Sequence, residues 1–341
     1  MSKSDKKSAI SGQVPEIPVE NNKSNKTLLK CKEIDIVYTW VNGSDPQHIA
    51  SRTNRSGNTR YSAPGNNRYR DLMGLRYSLR SIKKYAPWIN NIWVVSAQQY
   101  PSWFDESTSE VRFVFHEDLY KNKEDLPTFN SNSIESNFYN LPEEVSDCFI
   151  YLNDDIFFGA PVSMTDFFDP NYGQAIYKST WTAPATKEQQ ANIWHACIAW
   201  TNELLNNMWE VSNGHRHYAS HGVQIFHREV FKKMYADLTE EFHQTSSHPF
   251  RTAKDLQIPF LYLQYALRYH YTYEPATINH YALLTDDLDK MKKEFSRILS
   301  KKSKTVCLND GLSVDNANPK VIEELKNMFE KYFPEKPSWE L

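Results

Sequence analysis

Four short runs of β-branched and aromatic residues, each closed by a turn-forming segment, constrain this chain more than any other feature. Ile34 to Val41 (IDIVYTWV) stops at Asn42-Gly43-Ser44-Asp45-Pro46, and Ile92 to Ser96, Val111 to Phe115 and Phe149 to Leu152 follow. Such runs are strands bounded by turns. Between the first two, Leu72, Leu75, Leu79, Ile82 and Tyr85 recur at helical spacing and stop before Pro87. Strands alternating with helices predict an α/β chain whose mostly parallel sheet is flanked by helices. Ligands of such sheets bind beyond the carboxyl ends of the strands, where both TWVNGSD and LNDD fall.

The remaining segments read less evenly. Residues 51–70 are polar and Gly/Asn-rich, a loop carrying Arg52, Arg55, Arg60, Arg68 and Arg70. FNSNSIESNFYNL is a loop entering a helix, and residues 171–214, helical around 193–211, form a helical insertion or subdomain. Helices are expected over 228–242 and 253–269, flanking the loop HQTSSHPFRT. Thr305 to Leu308 is a strand before Asn309-Asp310-Gly311, and residues 319–332 form an amphipathic helix. The first 30 residues are polar and lack an apolar signal region, so a disordered tail should precede a single domain over 31–341.

Composition excludes more than it assigns. With 39 Lys+Arg against 42 Asp+Glu, the net charge of -3 argues for no nucleic-acid partner. Aromatic residues reach 14%, which suits sugar stacking and an aromatic core alike. Cys31, Cys148, Cys197 and Cys307 include no CxxC pair, so unpaired thiols in a reducing compartment are expected. The sequence holds no apolar run of about 18 residues, and the expected location is cytoplasmic. Neither GxGxxG, GxxxxGK[ST] nor GxSxG occurs, which removes most support for kinase, P-loop NTPase and serine-hydrolase readings.

FIYLNDDIFFG places Asn153, Asp154 and Asp155 inside an apolar segment. An acidic pair in that setting needs a cation to offset desolvation and like-charge repulsion, and Mg²⁺ or Mn²⁺ bridging to a substrate diphosphate would do so. The plain alternative is a strand end hydrogen-bonding its own turn. Asn42, Gly43 and Asp45 divide the same way, between a tight turn and a nucleotide contact. Arg70, Arg76, Arg80, Lys83 and Lys84 decorate one helix, ordinarily a solvated face, although arginine also suits phosphate. His221 is a candidate general base and Arg251 a candidate stabiliser of transferring phosphoryl charge. His215, His217 and His221 permit a metal site but follow no ligand-spacing rule.

Taken together, IDIVYTWVNGSDP, RYSLRSIKKYAPWINNIWVVSAQQYPSWF and FNSNSIESNFYNLPEEVSDCFIYLNDDIFFG resemble the first two conserved blocks of Stealth proteins. HYASHGVQIFHREVF with FHQTSSHPFRTAKDLQIPFLYLQYAL resembles the third block, KTVCLNDG the fourth, and YFPEKPSWE the end of many members. The resemblance runs over residues 34–340 and is weakest over 171–214. It implies a Rossmann-like, GT-A-like core with a helical insertion. It also implies transfer of a hexose- or N-acetylhexosamine-1-phosphate from a UDP-sugar to a glycan hydroxyl, with release of UMP. The acceptor would be a free or lipid-linked oligosaccharide or polysaccharide of a capsule or cell surface. Peripheral association with a membrane biosynthetic complex, at the inner face of the cell membrane, belongs to the same expectation.

Under that resemblance Asp154 and Asp155, with Asn309 and Asp310, hold Mg²⁺ or Mn²⁺. His221, Arg251, Asp155 and Asp255 form the catalytic group, with Asp255 orienting Arg251. Asp35, Asn42, Gly43, Asp45, Arg76, Arg80 and Asn130 lie toward the donor. Two departures stand out: Asn42 where relatives often have Asp, and Gly74 where relatives carry an acidic residue before LRYSLRS. Two competing functions use the same residues: a metal-dependent glycosyltransferase releasing UDP, and a non-catalytic polysaccharide-binding assembly protein.

Overall fold

Ile34 to Trp40 is buried along almost its whole length, as only a strand covered on both faces requires. The computed structural model describes residues 26–56, 69–183, 192–212 and 214–341. Along the chain come β1 (Ile34–Trp40), α1 (Pro46–Ser56), α2 (Gly74–Tyr85), β2 (Ile92–Ser96), β3 (Val111–Phe115), α3 (His116–Leu119), α4 (Ser131–Ser136) and β4 (Cys148–Asn153). Then follow β5 (Ile156–Phe158), β6 (Phe168–Asp169), β7 (Gly173–Ala175), β8 (Lys178–Thr182), α5 (Ile193–Met208), β9 (His217–Ala219), β10 (Gln224–His227) and α6 (Arg228–Asp237). The last elements are α7 (Thr239–Ser247), α8 (Ile258–Tyr269), β11 (Thr272–Tyr273), β12 (Asn279–Leu284), α9 (Leu288–Lys301), β13 (Thr305–Asp310) and α10 (Pro319–Tyr332).

The main sheet has the order β10-β4-β1-β2-β3. Its last four strands are parallel and β10 runs antiparallel to β4, so the expected mostly parallel α/β sheet is present. Strand alternation divides the core: Ile34, Ile36, Tyr38 and Trp40 face α2, through Leu75, Leu79 and Ile82. Val37, Phe149 and Tyr151 face the opposite layer, with Phe231 of α6 and Tyr262 of α8. A second sheet, β12-β13-β5, packs under α9 and α10 through Phe157, Phe295, Val306 and Phe329. The chain leaves the main sheet at β4 and enters the second at β5, and the turn joining the two is Asp154-Asp155. The acidic pair therefore sits where two sheets meet.

Several expectations need correction. Residues 51–56, read as loop, complete α1; Arg60 and Arg68 lie outside the described residues, as do residues 1–25 of the expected tail. Within the expected tail, Thr27 bridges to His270 and Leu29 is buried. Residues 243–247 of HQTSSHPFRT belong to α7 rather than to a loop. Cys31 and Cys148 form a disulfide, contrary to the expectation of unpaired thiols, while Cys197 and Cys307 are free and buried. Pairing of Ile34 with Cys148 across the two strands brings the distant cysteines to one place. Among the described residues, no helix is long and apolar enough to cross a membrane.

Candidate active site

A cavity of about 1730 Å³ opens at the carboxyl ends of β1, β2 and β4 and is closed by segments from the carboxyl-terminal half of the chain. Thr39, Asn153, Asp154, Asp155, Glu135, His221, Arg251, Asn309 and Asp310 all line it. A pocket for one small ligand typically spans roughly 300–1,000 Å³, so this one has room for two substrates together.

Asp155 is the most exacting residue in it. Its Oδ2 lies 3.5 Å from Cys307 Sγ, and its buried Oδ1 has no hydrogen-bond partner. Burial raises its pKa, with His221 pulling the other way. Asp154 is raised further, first by burial and then by the charges of Asp155, Asp71 and Asp310. Asp71 and Asp310 are themselves raised by burial, Asp310 despite an ion pair to Arg70 at 3.4 Å. Asp154 thus sits among the charges of Asp155, Asp71 and Asp310, an accumulation of negative charge that a cation would relieve. A second grouping brings Asp155, His221 and Cys307 donor atoms within 4.8 Å of one another. Burial and Asp155 both push the Cys307 thiol up.

His221 follows β9 and is held on two sides. Its carbonyl accepts from Asn279 Nδ2 at 2.8 Å, and its ring stands edge-on to Tyr281 with centroids 5.3 Å apart. Asn309 Nδ2 lies 3.0 Å from His221 Nε2, so as the amide is oriented Nε2 is the unprotonated nitrogen. The ring lies close to Asp155, with a donor atom of each within 4.8 Å of the other. Asn309, expected beside the metal, touches the His221 ring.

On the facing wall, Arg251 donates to Ser131 Oγ at 2.5 Å at the start of α4. Glu135, one turn along α4, is enclosed, and sequence reasoning passed over it. Its Oε1 is 3.0 Å from the Tyr151 hydroxyl, which is also 2.8 Å from Asn153 Oδ1, and its buried Oε2 has no partner. Burial lifts the Glu135 pKa to about 7, against the pull of Arg251 and the Tyr151 hydroxyl. A protonated Glu135 can donate to the phenol oxygen while the single phenol hydrogen goes to Asn153, which closes the network. The available signal was a lone acid inside the otherwise uncharged run FNSNSIESNFYN.

Other expected site residues lie elsewhere. Asp35 sits at the amino end of β1, fully buried, and accepts from Asn90, Asn91, Trp93 and Ser146, the closest being Trp93 Nε1 at 2.8 Å. Arg76 and Arg80 are bound to the carboxylate of Glu340 at 2.7 and 2.6 Å, away from the cavity. Asp45 caps α1 through the His48 N–H, and Asn42 Oδ1 holds the Ser44 N–H. Gly43 lets the turn press on Tyr69, where a Cβ would fall 2.1 Å from the tyrosine Cβ, and Tyr69 itself lines the cavity. Asn130 and Asp255 are bonded to each other at 2.7 Å beneath the surface. Asp255 also takes His248 Nδ1 at 2.7 Å and the Thr252 N–H at 3.1 Å, so it shapes the loop that carries Arg251 without lining the cavity. At Gly74 a Cβ would lie 2.1 Å from the Asp154 carbonyl oxygen, so a larger side chain there requires the acidic turn to move. Asp71, three residues earlier, supplies a carboxylate to the same cluster.

The models of all four Stealth conserved regions match this chain: region 1 over residues 32–60, region 2 over 68–176, region 3 over 220–268 and region 4 over 296–341. An exopolysaccharide phosphotransferase of Streptomyces coelicolor is 31% identical over 88% of this chain and 56% of its own length. The exopolysaccharide phosphotransferase CpsY of Mycobacterium tuberculosis is 28% identical over 90% of this chain and 58% of its own length. The capsular polysaccharide phosphotransferase fcs1 of Haemophilus influenzae is 28% identical, over 83% of this chain and 79% of its own. The chain thus spans little more than half the length of the first two. Among solved structures, the galactosyltransferase LgtC in complex with donor and acceptor sugar analogs is similar at a TM-score of 0.42 and 10% identity, covering 89% of this chain and 98% of that one. With the four regions present in order and contributing every wall of the charged end of the cavity, the chain belongs to the Stealth protein family.

Proposed function

We propose that this chain transfers a sugar-1-phosphate from a UDP-sugar to a hydroxyl of a glycan and releases UMP. One observation carries the reading: a histidine base, an arginine and enclosed carboxylates from four separate segments meet in one cavity with room for donor and acceptor. The names of the relatives, exopolysaccharide and capsular polysaccharide phosphotransferases, support it.

The acceptor hydroxyl displaces the Asn309 amide from His221 Nε2, which takes its proton as the hydroxyl oxygen bonds the β-phosphorus. The bond from that phosphorus to the bridging oxygen breaks, and UMP departs in line. Arg251 faces the phosphoryl oxygens as their charge redistributes, and Ser131 holds its guanidinium in place. Glu135, beside Arg251, accepts or returns a proton near neutral pH. Asp154, Asp155 and Asp310 would hold Mg²⁺ or Mn²⁺, which supplies charge neutralisation for a diphosphate. Asn309 holds the His221 ring at Nε2, and Asp255 with Asn130 fixes the arginine loop.

The test is incubation of the purified chain with a set of UDP-sugars, Mg²⁺ and oligosaccharide acceptors. UMP and a phosphodiester signal in ³¹P NMR are expected, with both lost in His221→Ala at unchanged circular dichroism. UDP as the nucleotide product would mean glycosyl transfer instead, and absence of any nucleotide would end the enzymatic reading.

A further inference from the structure

The cavity is divided by charge. One end carries Arg70, Glu135, Asp154, Asp155, Arg251 and Asp310, and the other is a wall without a charged side chain among the described residues. Trp181 on β8, Trp194 on α5 and Tyr218 on β9 form that wall, with Ser179, Asn192 and Ser220 among them. Trp181 is 62% exposed, far more than a tryptophan whose task is core packing.

The three rings are held, not loose. Tyr218 stands edge-on to Trp194 at 5.3 Å and to Trp181 at 6.4 Å. His195 lies behind them, 3.0 Å from the Tyr218 hydroxyl and roughly parallel to Trp181 at 6.2 Å. β8 and β9 pair antiparallel, and the Ser220 N–H donates to the Tyr177 carbonyl at 2.9 Å, so the wall and the approach to His221 share one frame. Three residues separate Tyr218 from His221, at most about 10 Å of chain. The rings and His221 therefore line one cavity on a shared strand pair and its exit.

From this we infer that the Trp181–Trp194–Tyr218 wall is the acceptor subsite, where pyranose rings of the glycan stack before their hydroxyl reaches His221. The inference rests on the transfer reading given above. A pyranose offers apolar C–H faces and a rim of hydroxyls, which match aromatic faces interleaved with hydroxyl and amide side chains. A nucleoside diphosphate needs cations and finds Arg70 and Arg251 at the other end.

The experiment measures equilibrium binding, without turnover, of tetrasaccharides built from glucose, galactose, N-acetylglucosamine and N-acetylmannosamine, by saturation-transfer NMR and calorimetry. At least one should bind the wild type. Trp181→Ala should weaken that binding on the order of tenfold, the scale of one lost stacking contact, and Trp181→Tyr should restore most of it. Tyr172→Ala removes a side chain that is 66% exposed outside the cavity and serves as the control, with binding unchanged. A wild type that binds none of the saccharides overturns the subsite, as does a Trp181→Ala protein that binds as the wild type does. The nucleotide product is scored separately: UDP with weakened saccharide binding refutes phosphotransfer and keeps the subsite, whereas UMP with unweakened binding does the reverse.

Discussion

Glu135→Gln should make the protein more stable at alkaline pH while ending its activity. Burial raises the Glu135 pKa from 4.5 to about 7 in the folded chain. Between those values the unfolded chain has lost the proton and the folded chain keeps it, so the unfolded state binds fewer protons and stability falls as pH rises. The stabilising contribution is whole below 4.5 and is gone once the pH has passed about 7. A separation of about 2.5 units corresponds to roughly 3.4 kcal/mol in full, of which about 2.5 kcal/mol falls between about pH 5 and pH 8. Glutamine keeps the shape and the Tyr151 contact but cannot ionise. Urea unfolding of both proteins in EDTA, at about pH 5 and about pH 8, reads the effect as a difference of differences, in which every other titrating group cancels. The advantage of the variant should grow by about 2.5 kcal/mol at the higher pH. An advantage constant to within about 0.5 kcal/mol would refute the claim that Glu135 is held protonated by its enclosure.

Two further outcomes follow from contacts at the edges of the site. Gly74→Ala places a methyl group against the Asp154 carbonyl oxygen, so the acidic turn must move; turnover should fall at least about tenfold and thermal unfolding should come several degrees earlier. Arg80→Met leaves the enclosed Glu340 carboxylate with only Arg76 and should cost about 3 kcal/mol in chemical denaturation, most of which the double change Arg80→Met/Glu340→Leu recovers.

How far the sequence could be read depended on where each signal lay. β1, β2 and β4 were visible because both faces are buried and the runs are mostly apolar or β-branched. α10 was visible because Val321, Leu325, Met328, Phe329 and Tyr332 keep helical spacing between Pro319 and Pro334. β12 was not: its outward residues Tyr281 and Leu283 are apolar and exposed, so burial alternates along it but polarity does not. Asp35 misled because it belongs to the right strand at the wrong end, and only residues past Tyr38 come near the cavity. Arg76 and Arg80 resembled phosphate ligands because their partner Glu340 lies more than 250 residues away. The acidic pair and His221 with Arg251 were legible from local chemistry plus block order. Glu135 was hidden by the short helix that carries it, where Ile134 is the single apolar residue and there is no periodicity to read.

The Cys31–Cys148 bond acts at the far end of the strands that bear the site. It closes a loop of 117 residues, for which the chain-entropy model gives a stabilisation of roughly 5 kcal/mol. Its more specific effect is on alignment. β1 and β4 run in parallel from this bond toward Thr39 and Asn153, which face each other across the pair. A slip of β4 by one residue would turn every side chain to the opposite face and exchange the outlooks of Asp154 and Asp155. Pinned at its first residue, β4 behaves like a ruler clamped at its zero mark, so the position of the carboxylates at its other end is set by strand length.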